Sequence, residues 1–210
     1  HPMKEYKITA KAGRFVADAP TRILDTRRGE AMERRETRTV ELPAGLPADT
    51  SAVVVTLTST SPNRPGYFTA FPPGPLPDTS TLNVSTFDST RASTAIVQVD
   101  DGEFQVYASH GGELIVDLVG HFTGESAAWS SDGMYVPMTP TRQLDTRLSR
   151  PLEGGETRGF PAKGAGTVVG SLAMILPSNI GYGAVFGNGT EYAGTSSINL
   201  SDVPLIANMA

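Results

Sequence analysis

One string occurs twice in this chain. Pro20-Thr21-Arg22-Ile23-Leu24-Asp25-Thr26-Arg27 returns as Pro140-Thr141-Arg142-Gln143-Leu144-Asp145-Thr146-Arg147, 120 positions later and altered only at Ile23/Gln143. Such a recurrence marks two copies of one folding unit, so the fold is two related bodies and not one unique core. A duplicated unit also argues against a single unique active site. It suits a protein that builds, binds or displays.

The match extends beyond the string. Phe15-Val16 correspond to Tyr135-Val136, and Glu36-Thr37-Arg38 to Glu156-Thr157-Arg158, still 120 apart. Leu57, Pro62 and Gly66-Tyr67 then match Leu172, Pro177 and Gly181-Tyr182 at a spacing of 115, a loss that surface loops tolerate. Leu82-Asn83-Val84 pairs with Ile198-Asn199-Leu200, and Ala92-Ser93-Thr94-Ala95 with Ala207-Asn208-Met209-Ala210. Within these 210 residues the second copy has no counterpart of segment 96–123.

Short apolar runs bounded by Gly, Pro, Asn and Asp recur at roughly 8–12 residue spacing, the pattern of a β-sandwich or barrel. They are Ala52–Leu57, Tyr67–Phe71, Thr81–Ser85, Ala95–Val99, Phe104–Tyr107 and Leu114–Val119. With 22 Gly and 16 Pro, and no long amphipathic helical stretch, the expected class is all-β. Asp100-Asp101-Gly102-Glu103 reads as a hairpin turn, Asp-Gly supplying the positive φ angles. Arg27 to Arg38, dense in both charges, reads as a solvated loop. The expected organisation is an N-terminal strand or arm over 1–14, a first β module over 15–123, a linker over 124–134 and a second, incomplete β module over 135–210. The runs missing from the second copy are the most strand-like in the first, so its sheets should carry open edges. The alternating run Glu5-Tyr6-Lys7-Ile8-Thr9-Ala10 is a candidate to close them, in the same chain or in a neighbouring subunit.

The repeated motif is a compact arrangement of charge. Pro excludes a central strand, the Leu is expected to point inward, and the short Asp suits a turn. Arg22 and Arg27 flank Asp25, and Arg142 and Arg147 flank Asp145, so each carboxylate can take a charge-assisted, bidentate pair. The first reading is a structural ion-pair network locking a turn. The second is a ligand site, because Arg with Asp also recognises sugars, carboxylates and phosphates. Tyr67, Tyr182, Tyr6 and Ile8 are candidate ligand or interface positions.

Other chemistry is poorly represented. The three His, at positions 1, 110 and 121, have no metal spacing, and no nucleophile–base–acid motif or phosphate loop is present. Without Cys there is neither a disulfide framework nor thiolate chemistry. A net charge of −5 gives no basic surface for nucleic acid, and no apolar run approaches the ~18 residues of a membrane helix. His1-Pro2 ahead of Met3 reads as a tag remnant, and no secretion signal follows. The expectation is a non-enzymatic protein without cofactor or metal.

Taken together, Pro-x-Arg-x-Leu-Asp-Thr-Arg, Gly66-Tyr67-Phe68-Thr69-Ala70-Phe71, Ser80-Thr81-Leu82-Asn83-Val84 and Val116-Asp117-Leu118-Val119-Gly120-His121-Phe122 resemble a widespread bacterial module. It is found, often in tandem, in exported and surface proteins of actinobacteria and in virion proteins of their phages. The resemblance covers nearly all of the first copy and the first three-quarters of the second. His121 stands where that family usually has Tyr, and the second copy has Gly170-Ser171-Leu172-Ala173-Met174 in place of strand hydrophobes. The resemblance implies an all-β building block: a virion component, as capsid decoration or tail protein, forming a trimer or larger ring or binding other virion proteins. The alternative is a cell-surface module that binds glycans.

Overall fold

The computed structural model describes residues 8–60, 62, 64–85, 90–137, 139, 141–161, 166–175, 179–200 and 205–209. The first copy is a two-sheet sandwich. Its strands are β1 (Phe15–Asp25), β2 (Glu36–Glu41), β3 (Ala52–Thr60), β4 (Gly66–Phe71), β5 (Leu82–Val84), β6 (Thr90–Gln98), β7 (Glu103–Ala108) and β8 (Glu113–Phe122). One sheet has the order β1-β8-β3-β6 and the other β2-β7-β4-β5, with every pair antiparallel. Alternation along the strands builds the core: Val53, Val55 and Leu57 of β3 and Leu114, Val116 and Leu118 of β8 meet Phe104, Val106 and Ala108 of β7. Each such side chain removed from water is worth ~1.5–3 kcal/mol, which holds the two sheets face to face.

Two expectations are corrected here. The repeated motif is not a turn throughout: Pro20 to Asp25 are strand, and only Thr26–Arg28 form a 3-10 turn. Strand β1 tolerates Pro20 because it is a sheet edge and because its register with β8 slips between Ala17 and Thr21, where no ladder bond is required of the proline. Likewise Arg27–Arg38 is not entirely loop, since Glu36 begins β2 and pairs with Ala108. The Asp-Gly turn forms as expected, with φ of 49° at Asp101 and 76° at Gly102. Asp100 and Glu103 close it as an antiparallel pair, exchanging backbone bonds at 3.1 and 3.0 Å, and beyond it the chain passes from β6 in one sheet to β7 in the other.

The second copy repeats part of this architecture. It contains a 3-10 turn (Thr146–Leu148), β9 (Ser171–Ile175), β10 (Gly181–Gly183), β11 (Ile198–Leu200) and β12 (Leu205–Met209). Strand β9 pairs with β12, and β10 with β11. The registers are those of the first copy: Leu172 faces Asn208 as Leu57 faces Ser93, and Tyr182 faces Asn199 as Tyr67 faces Asn83. Strand β9 forms despite the small residues at Ser171 and Ala173. In the first copy β3 is paired on both sides, by β6 and β8, and β4 by β5 and β7. Here β9 and β10 each have one partner among the described residues.

Of the N-terminal run Glu5–Ala10, residues 8–10 are described. Tyr6 lies outside the described residues. Ile8 is exposed, and Ala10 forms an antiparallel bridge with Ser130 in the linker, not with β9 or β10. The arm is drawn there by a local set of bonds: Gly13 N–H donates to the Thr123 carbonyl, and the Arg14 guanidinium donates to the Ala128 and Asp132 carbonyls.

Candidate functional site: the repeated Arg–Asp motif and the seam between copies

In the first copy the motif is a junction between local and long-range contacts. The local part is the 3-10 turn. Asp25 caps it, its Oδ1 accepting the Arg27 N–H at 3.2 Å. The Arg27 guanidinium closes on the same carboxylate at 2.8 and 2.7 Å, and Arg22 stands 3.5 Å away. These hydrogen bonds, Arg27 foremost, hold the Asp25 carboxyl below the usual carboxylate range.

The long-range part was not legible in the motif. The chief partner of Arg22 is Asp117 on β8, held bidentately at 2.9 and 3.3 Å. Asp117 is 1% exposed. The register explains the meeting, for Arg22 stands opposite Asp117, Asp117 opposite Thr56, and Thr56 opposite Thr94. A polar row therefore crosses the sheet on the face turned away from the sandwich core, and Thr56 and Thr94 share a 3.1 Å hydroxyl contact within it. A further motif residue reaches β8: the Thr26 hydroxyl, buried, accepts the Leu114 N–H at 2.8 Å. The available sequence signal was one polar residue, Asp117, interrupting the apolar run Leu114–Val119.

That outer face is buried because the second copy lies on it. Asn208 Oδ1 accepts the Thr94 N–H at 3.0 Å, and the Thr94 hydroxyl donates to the Met209 carbonyl at 3.0 Å. Arg22 makes a long contact of 3.5 Å with the Gly194 carbonyl. Ile198 and Ile206 are buried at this seam, and β3 is consequently covered on both faces.

In the second copy the local half of the motif is reproduced and the long-range half is not. Asp145 caps its turn through the Arg147 N–H at 3.1 Å and is clasped by Arg147 at 2.8 and 2.6 Å and by Arg142 at 3.2 Å. This clasp, led by Arg147, holds the Asp145 carboxyl well below its usual range. The following loop is copied as well. Glu156 accepts the Glu153 N–H and binds Arg150 and Arg158, which takes its carboxyl down to about 2, just as Glu36 accepts the Glu33 N–H and binds Arg38. Arg142, by contrast, is 66% exposed and has no counterpart of Asp117 among the described residues.

The remaining candidate residues are surface aromatics. Tyr67 is tilted against Tyr107 at 6.0 Å and borders an open groove of about 250 Å³ with Asp78, Thr79 and Ser80. Tyr182 is 57% exposed and stacks on Tyr192, centroids 6.1 Å apart and planes 20° apart, and Phe186 is tilted against Tyr192 at 6.0 Å. Burial, reinforced by the neighbouring Tyr182, pushes the Tyr192 phenol up to about 12. His110 is exposed, while His121 is buried with its Nδ1 2.7 Å from Asp18 Oδ2. Among the described residues no group of three or more His, Cys, Asp and Glu is placed to hold a metal ion.

No protein-family model, curated protein or solved structure matches this chain.

Proposed function

We propose that this is a non-enzymatic structural protein that assembles through its second copy. The observation that carries the reading is where apolar surface remains exposed. Fourteen of the twenty large exposed hydrophobic residues among those described follow residue 134, on a body where β9 and β10 each have one strand partner among the described residues. Apolar surface concentrated beside unpaired strand edges is the mark of an association surface. The proposed setting is a virion, as capsid decoration or tail component, where many copies present partners to one another. That setting rests on the resemblance of the repeated motif and its companion strands to modules of actinobacterial surfaces and phages.

The test is light scattering on purified protein across micromolar concentrations. A defined oligomer, a trimer or larger ring, is expected. A monodisperse monomer throughout overturns the assembly reading.

A second reading has its own observation. The exposed Tyr182 and Tyr192 rings, with the half-buried Phe186 beside them, form an aromatic patch of the sort on which sugar faces stack, beside the Arg22–Asp117 pair. It calls for glycan binding, lost on Tyr182→Ala; a flat glycan array removes it.

A further inference from the structure

Strands β7 and β8 form one continuous arch. Strand β7 is central in one sheet and β8 in the other, with the Ser109–Gly112 turn between them. The residues that receive this arch in the first copy can be traced by position into the second. Arg22 binds Asp117 of β8, and Thr26 binds the Leu114 amide. Leu24 packs against the core, Met32 is buried and exchanges both backbone bonds with Gly112, and Val40 is buried opposite Phe104. At a spacing of 120 the corresponding residues are Arg142, Thr146, Leu144, Leu152 and Phe160.

The residue types are kept, while the contacts are not made. Leu144, Leu152 and Phe160 are 39%, 40% and 39% exposed. No hydrogen bond to the Thr146 hydroxyl occurs among the described residues, and Arg142 has only Asp145. Apolar side chains at these positions serve nothing on a bare surface, and they match in kind what an arch requires. The two strand edges without a partner among the described residues agree with them. The side of β9 away from β12 is where β8 would pair, and the side of β10 away from β11 is where β7 would pair.

We propose that the second copy is a receptor for a strand–turn–strand arch of the β7–β8 kind. The occupant is about twenty residues of polypeptide whose two strands enter the two half-sheets. Its alternate side chains are apolar, and one carboxylate on its second strand faces Arg142. This rests on the assembly reading: the donor is a partner polypeptide of that chemistry, distinct from the β7–β8 arch, which every copy of this chain keeps in its own first copy.

The probe is a peptide of residues 99–123 of this chain, titrated into the full-length protein by calorimetry or fluorescence anisotropy. Saturable one-to-one binding is expected. It should weaken roughly tenfold or more on Arg142→Ala in the protein or on Asp117→Ala in the peptide, with little further loss when both are changed. Absence of binding, or binding indifferent to both changes, overturns the proposal. A companion chain carrying residues 99–123 after Ala210 separates the sources: an arch accepted there, with no binding of the free peptide, overturns donation by a neighbour. A monomeric protein that binds the peptide would sink the assembly reading alone. An oligomer that ignores the peptide would sink the receptor alone.

Discussion

Replacing Arg22 by alanine, and separately Arg142 by alanine, removes the same residue from the same motif in two tertiary settings. At Arg22 two bonds to Asp117 are lost, at 2.9 and 3.3 Å, and a carboxylate that is 1% exposed is left without its cation. Breaking a buried pair from one side costs ~3–5 kcal/mol. The Arg22 side chain is 28% exposed, so water reaches part of the pair. The lower end of that range, ~3 kcal/mol, is therefore expected. For a protein of this size that is a fall in Tm of ~6–12 °C. At Arg142 only an exposed ion pair with Asp145 is lost, worth ~0–1 kcal/mol. Chemical denaturation of Arg22→Ala, Asp117→Ala and the double variant gives the coupling energy, with Arg142→Ala as the internal control. Equal losses at Arg22 and Arg142, or a coupling between Arg22 and Asp117 below ~1 kcal/mol, would refute the reasoning.

The same asymmetry extends to the neighbouring hydroxyls. Thr26→Val removes the acceptor of the buried Leu114 N–H and should cost ~1–3 kcal/mol in urea unfolding, while Thr146→Val should be close to neutral. Gly120→Ala places a Cβ 2.3 Å from the Phe15 ring, which must then shift; a loss of ~1–3 kcal/mol is expected, partly recovered by adding Phe15→Leu. Asp25 titrates below its ordinary value because Arg27 and Arg22 favour its charged form. Its contribution is therefore complete above the usual carboxylate range near 4 and is lost as pH falls through the depressed value. Asp25→Asn should flatten part of the acid limb of Tm against pH, and an unchanged limb would show that the carboxylate is not a stabilising partner.

Most strands of the first copy were legible because their alternation is strong and their ends carry Gly, Pro or Asp. Strand β1 was not, since Pro20 and three charged residues hide it. It is a strand because β8 supplies its partner, and the register slip between Ala17 and Thr21 accommodates the proline. The pairing of Arg22 with Asp117, 95 residues away, is equally non-local: Asp117 reads only as a polar interruption, and the ladder alone brings the two together.

The duplicated sequence separates these levels within one chain. The capped 3-10 turn, the Asp–Arg clasp and the Glu–Arg loop form in both copies, because every group they need lies within eight residues. Those features the sequence by itself determined, together with the all-β class. Whether Pro20–Asp25 and Glu36–Glu41 become strands, and whether Leu24 and Val40 meet a core, only the tertiary structure decided. A strand acquires its hydrogen bonds and its buried face from a neighbour distant in sequence. The second copy, with like residues and without β7 and β8 beside them, leaves Leu144 and Phe160 in solvent.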